Sequence, residues 1–163
     1  MVVEETRDLR DVVANLQIEG VYEEAAPYGT GHINDTYAVS VKRGADPVRY
    51  IIQRVNHEIF KDVPNLMRNI ERVTEHVRGK ILQEPNGDPL REALTIIPSV
   101  DGQAYYLDPD GNYWRGYVFI ENAHTYDEVQ GTDHAFQAAQ TFGMFQKWLL
   151  DLPEPPLVET IPD

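Results

Sequence analysis

The chain has 163 residues, 14 Lys+Arg against 27 Asp+Glu, a formal net charge of −13 at pH 7 and no cysteine. So negative a chain excludes a sequence-independent grip on a phosphate backbone, which needs concentrated positive charge to release counterions, so nucleic acid is not expected as a partner. The missing thiols exclude disulfides, thiolate metal sites and cysteine nucleophiles, while 42% apolar and 10% aromatic residues suffice for a core and exclude global disorder.

The N-terminus MVVEETRDLR is charged and lacks a signal-like apolar run. No stretch reaches the ~18 uninterrupted apolar residues of a membrane span. A soluble, cytoplasmic protein without a membrane partner is expected. Leu9, Val12, Val13 and Leu16 recur at helical spacing behind Thr6, a suitable N-cap, and predict a short amphipathic helix over 6–16. Residues 18–28 turn to a β pattern, and INDTYAVSV at 33–41 alternates as a strand, with Tyr37, Val39 and Val41 on one face. Between them lies the glycine-bearing connection Tyr28-Gly29-Thr30-Gly31-His32. Residues 42–47 read as a turn into a third strand, 48–55.

The clearest helix is predicted over 62–78. Asp62 stands at its start, Pro64 in its first turn, and Val63, Leu66, Met67, Ile70, Val73 and Val77 form its apolar stripe, with Gly79 closing it. PNGDP at 85–89 is a surface turn. Two strand-like runs follow, 94–98 and 103–107, separated by Asp101-Gly102; Asp108-Pro109-Asp110-Gly111 then leads into YWRGYVFIE at 113–121. Both turns carry the Asp-Gly signal of tight hairpins. Ala135, Phe136, Ala139, Phe142, Phe145, Trp148, Leu149 and Leu152 predict a last helix before a proline-punctuated tail. The order contains no βαβ alternation. It predicts an α+β fold around a roughly five-stranded antiparallel sheet, with one long helix between the first three strands and the rest.

The loop at 29–34 joins two strands, so it lacks the strand-to-helix context of a dinucleotide fingerprint or a P-loop. What fits is a glycine-rich hairpin whose backbone N–H groups close over nucleotide phosphates, because no Cβ blocks the approach. In kinase-like folds such a hairpin is followed by a strand with a basic residue, a helix with a glutamate, and strands ending in a hinge that meets adenine. Here the third strand carries Gln53 and Arg54, the long helix Glu71 and Glu75, and the last strand ends at Phe119-Ile120-Glu121-Asn122. Each feature also has a plain reading, as a turn, a solvated strand residue or a helix-surface charge.

Other chemistries lack their patterns. His57, His76, His124 and His134 show no metal-binding i, i+4 pair, Ser40 and Ser99 sit in no glycine elbow, and no EF-hand loop is present. Asp108 and Asp110 read as turn formers.

The segments GTGHINDTY at 29–37, YIIQRVN at 50–56 with Phe60-Lys61-Asp62 behind it, and Tyr113-Trp114-Arg115 before Phe119-Ile120-Glu121 together resemble the N-terminal lobe of the aminoglycoside phosphotransferase family. Within that protein-kinase-like family the pattern is similar to the N-acetylhexosamine 1-kinases, some relatives of which carry the label mucin desulfatase. The resemblance runs from about residue 15 to the end. It implies ATP-dependent phosphorylation of a sugar hydroxyl, the anomeric 1-OH of an N-acetylhexosamine, with homoserine, choline or hydroxylysine as other acceptors. It divides the chain into a nucleotide-binding lobe, 1–122, and the hinge-following helices, 123–163.

By the same resemblance Gly29, Thr30, Gly31, His32 and Asn34 cover the phosphates, and Gln53 or Arg54 takes the place of the family's ATP-contacting lysine or arginine. Glu71, or else Glu75, is the helix partner, and Phe119, Ile120, Glu121 and Asn122 form the hinge. The family's Leu-Lys pair reads Ile52-Gln53 here, and strand alternation aims Gln53 rather than Arg54 at the cleft. No H-x-D and no later D-x-D follow the hinge. Magnesium ligands and the catalytic base are therefore expected in a further lobe, and the chain alone is expected to be inert. A non-catalytic binding module is the alternative, and self-association through Phe145, Trp148, Leu149 and Leu152 is expected of the chain by itself.

Overall fold

The computed structural model describes residues 8–161. Its elements are, in order, α1 (Arg10–Ala14), β1 (Val21–Pro27), β2 (Asp35–Arg43), β3 (Asp46–Val55), α2 (Val63–Ile81), α3 (Pro89–Glu92), β4 (Ile96–Ile97), β5 (Tyr106–Leu107), β6 (Tyr113–Val118) and α4 (Thr132–Leu149). The fold is α+β, with a six-stranded antiparallel sheet in the order β1-β2-β3-β6-β4 and β5 also paired to β6. Among the described residues no helix is long and apolar enough to cross a membrane.

The chain divides into two compact units. One takes the chain through Glu71, resumes over Thr95–Phe119 and takes it up again from Val158; the other comprises Arg72–Leu94 and Ile120–Leu157. In the first unit, strand alternation sends successive side chains to opposite faces of the sheet. Val39, Val41, Ile52 and Trp114 are buried with Leu9, Val12, Val13 and Leu16, while Val55 is buried with Val63 and Met67 of α2. In the second unit Val77, Ile81 and Ala93 are buried together, with Val73, Trp148 and Leu149 packed on them. There His76 Nε2 lies 2.8 Å from the Trp148 carbonyl O and 3.1 Å from Asp151 Oδ1.

Several boundaries differ from the sequence expectation for physical reasons. The Thr6 cap lies outside the described residues; Asp8 Oδ1 accepts the Arg10 N–H instead, at 3.1 Å. The first extended run starts at Val21 because Gly20, at φ +131°, lies so close to Lys42 that a Cβ there would come within 2.7 Å of its carbonyl O. The turn expected over 42–47 is only Gly44-Ala45, since Lys42 pairs with Pro47 and Arg43 with Asp46. Asp62 caps α2 as expected, its Oδ1 accepting the Asn65 N–H at 3.1 Å. The helix nevertheless runs through Gly79 to Ile81, because Ile81 continues the Val77 stripe into a fully buried position.

The turn at 85–89 hands over to the unexpected α3. Its Asp88 Oδ1 accepts the Leu90 N–H, and Glu92 Oε1 accepts the Asp88 N–H, so the short helix is closed reciprocally. The runs at 94–98 and 103–107 shrink to two residues each and do not pair with one another. Instead β4 takes the Gly116–Tyr117 end of β6 and β5 the Tyr113–Trp114 end. Two short strands sharing one edge make the sheet six-stranded rather than five-stranded. The last strand stops at Val118, and α4 ends at Leu149, leaving Leu152 outside it.

Candidate functional site

The glycine-bearing loop lies in the first unit and links the antiparallel pair β1 and β2. Gly29 has φ +85°, a conformation open to glycine but strained for other residues. A Cβ on Gly29 or Gly31 would meet nothing within 4 Å, so both glycines border open space. Thr30 and His32 are exposed. Asn34 anchors the loop, since its Oδ1 accepts the Asn56 N–H at 2.9 Å and ties the loop's exit to the end of β3.

Behind the loop, register places Thr36 opposite Gln53 and Gln53 opposite Arg115. The three side chains form a row across β2, β3 and β6. Gln53 Nε2 donates to Thr36 Oγ1 at 2.8 Å. Its Oε1 accepts from Arg115 Nε at 3.0 Å and Nη2 at 2.9 Å, and the Tyr117 hydroxyl lies 3.5 Å away. Arginine has only donors, so the amide oxygen must face Arg115. Arg115 Nη1 also lies 3.8 Å from Met67 Sδ on α2. Burial pushes the Tyr117 phenol up to about 12, against the opposing pull of the Arg115 charge.

Arg54 belongs to the opposite face. Its Nε donates to Asp35 Oδ2 at 2.7 Å, and Nη2 pairs with the same oxygen. It lines a polar recess of about 180 Å³ with Asp35, Asn56, His57 and Asn112. Glu71 follows Met67 by one helical turn and borders another recess, of about 260 Å³, with Gln103 and Tyr105. Glu75 lies a further turn along, in the second unit.

Of the expected hinge, Phe119 belongs to the first unit and Ile120, Glu121 and Asn122 to the second. Phe119 meets the Tyr28 ring edge-on at 5.5 Å between centroids, and the Arg49 guanidinium lies 3.9 Å above its ring. Tyr28 stands at the loop's entry, so this aromatic pair ties the entry to the end of β6. In the second unit the Glu121 carbonyl O accepts from Arg91 Nη1 at 2.7 Å, and Asn122 has φ +55°.

The structure thus ties the loop's exit to Asn56 and its entry to Phe119, sets Gln53 and Arg54 on opposite faces of β3, and lines the Arg54 recess with Ile33 of the loop. Arg115, quoted only within the Tyr113-Trp114-Arg115 run, is the side chain to which reading along the sequence gave no role in the site. Its signal is cross-strand register, which appears only once β3 and β6 are paired. Asp108 and Asp110 are turn formers: Asp108 Oδ1 accepts the Asp110 and Asn112 N–H groups at 3.0 and 2.8 Å. Among the described residues no group of three or more His, Asp or Glu is placed to hold a metal ion. No family model matches the chain.

Proposed function

We propose that this chain is the nucleotide-binding part of an ATP-dependent small-molecule kinase of the aminoglycoside phosphotransferase type, built as a protein-kinase-like N-terminal lobe. The observation that carries the reading is the open glycine hairpin between β1 and β2, backed on one sheet face by a transverse row of hydrogen-bond donors. The donor chemistry suits a polyphosphate: loop N–H groups, the Thr36 hydroxyl, the Gln53 amide and a guanidinium. Bound ATP supplies the phosphoryl group. The chain's own residues bring hydrogen bonds and basic charge to it, and magnesium has no ready-made cluster of ligands among the described residues.

The acceptor follows from the resemblance alone: a sugar hydroxyl, the 1-OH of an N-acetylhexosamine. A phosphate-transfer screen of the natural protein across N-acetylhexosamines and amino alcohols separates this acceptor from homoserine, choline and hydroxylysine. Titration of the protein with ATP in the presence of magnesium tests the nucleotide reading itself. Saturable binding supports it, and its absence at millimolar ATP overturns it.

A second reading, a binding module acting through α4, is favoured by one observation: Phe136 and Phe142 are 67% and 64% exposed, whereas Trp148 and Leu149, expected on the self-associating face, pack on the Val77 cluster of the chain itself. Light scattering at rising concentration tests self-association through that helix, and a monomer throughout counts against it.

A further inference from the structure

We propose that Arg115 is the cation that holds the nucleotide's phosphates and that Gln53 is its positioning residue, an assignment that rests on the nucleotide-binding reading above. The glycine hairpin feeds into β2, whose Thr36 lies two residues beyond Asn34. On the nucleotide reading, a phosphate held under that hairpin meets the row that Thr36 begins. Three basic or amide side chains compete for the role along the two central strands, and their surroundings separate them.

Arg54 is committed. Alternation puts it on the face away from Gln53, and the Asp35 carboxylate neutralises it through Nε and Nη2. Gln53 carries no charge, and the donors of Arg115 and Tyr117 converge on its oxygen, leaving one amide hydrogen beyond the bond to Thr36. Arg115 is held but not neutralised. Its Nε and Nη2 both end on one neutral amide oxygen, its Nη1 lies 3.8 Å from the weak acceptor Met67 Sδ, its guanidinium lies 5.4 Å from the Tyr117 ring centroid, and among the described residues it enters no ion pair.

A fixed, partly buried guanidinium that enters no ion pair suits an anion, because its orientation has been set before the ligand arrives and little solvent screens it. A carboxylate at position 53 would hold the same geometry and cancel the charge. The amide holds the geometry and leaves the charge. This explains why glutamine, rather than glutamate, suits position 53: it orients Arg115 without cancelling its charge.

The test is calorimetric titration of the full chain, with magnesium chloride present, using ATP and adenosine as separate probes. Arg115→Gln removes the charge. Gln53→Glu keeps an acceptor for Arg115 and neutralises it in place, so it reports on charge even if Arg115→Gln fails to fold. The expected result is a fall of about ten- to a hundredfold in ATP affinity in both variants, the size of one charge-assisted hydrogen-bonding group, with adenosine affinity held within about twofold. Retained ATP affinity in either variant overturns the assignment, as does a parallel loss for ATP and adenosine, which marks a structural effect. Loss of ATP affinity in Arg54→Gln with Arg115→Gln unaffected also overturns it. Wild-type protein that binds neither probe overturns the nucleotide reading and this assignment with it, whereas wild-type binding that Arg115→Gln leaves intact removes only the assignment.

Discussion

Trp114, with no exposed surface, donates its indole N–H to Asp108 Oδ2 at 2.8 Å. The same carboxylate accepts the Asp110 and Asn112 backbone N–H groups and the Asn112 amide. One turn residue thus satisfies a buried indole at the centre of the sheet and shapes the connection from β5 to β6. Asp108→Ala removes the acceptor from a buried donor, and a cost of about 2–3 kcal/mol is expected. Asp108→Asn retains an acceptor and is expected to cost about 1 kcal/mol. Urea denaturation at neutral pH measures both.

The same group sets an acid limit. Burial pushes the Asp108 carboxyl up, but the hydrogen bonds from Trp114, Asn112 and Asp110 outweigh it and hold the carboxyl below its ordinary 3.8. A carboxylate lowered in the folded state stabilises above its unfolded value, and that contribution is lost as pH falls through the lower folded value. The gap between wild type and Asp108→Asn is therefore expected to persist at pH 5 to 7 and to close below about pH 3.8. Melting curves across that range check it.

Tyr117 sets the opposite limit. Its phenol, 6% exposed, moves from 10.0 to about 12 through burial. An acid whose folded value is raised stabilises the fold below the unfolded value, and the contribution fades as pH rises from 10 towards 12. That rise corresponds to roughly 2–3 kcal/mol. Tyr117→Phe is expected to lose less stability than wild type between pH 10 and 12, and the late part of the tyrosinate absorbance rise near 295 nm is expected to shrink in that variant.

Local chemistry made much of the fold legible. The α2 stripe from Val63 to Val77, the Asp62 cap and the Gly44 turn each follow from residues close in sequence. What stayed hidden depends on distant partners. Gln53 and Arg115 are 62 residues apart, so their bond is invisible until β3 and β6 are aligned. The division of one β6 edge between β4 and β5 is a competition for the same backbone groups, which no single run of residues encodes. The expectation that Gln53 faces away from Arg54 needed only alternation, and it could be read from the strand itself.

Gly79 and Gly87 separate two roles that glycine plays around the end of α2. Gly79 is exposed within the helix, and a Cβ there meets nothing within 4 Å. Gly79→Ala is expected to stabilise by about 0.5–1 kcal/mol by reducing the freedom of the unfolded chain. Gly87 lies against the end of the helix, and a Cβ there would overlap the Ile81 carbonyl O. Gly87→Ala is expected to cost about 3 kcal/mol or more, because backbone must move. Paired melting curves check both: a destabilised Gly79→Ala would contradict the helix extent, and a stabilised Gly87→Ala the turn.

The two loop glycines give a functional prediction in which folding and binding separate. Both face open space, where a Cβ meets nothing within 4 Å. Gly29 alone has the positive φ, +85°, and Gly29→Val is expected to strain the loop by about 1–2 kcal/mol and lower the melting temperature. Gly31→Val carries no such penalty and is expected to leave melting unchanged. If the loop closes over phosphates, the added branch at position 31 blocks the backbone's approach, and ATP affinity falls at least about tenfold while adenosine affinity holds. Calorimetry on Gly31→Val therefore reads the ligand's contact with the loop free of any folding cost, and unchanged ATP binding there would place the phosphates elsewhere.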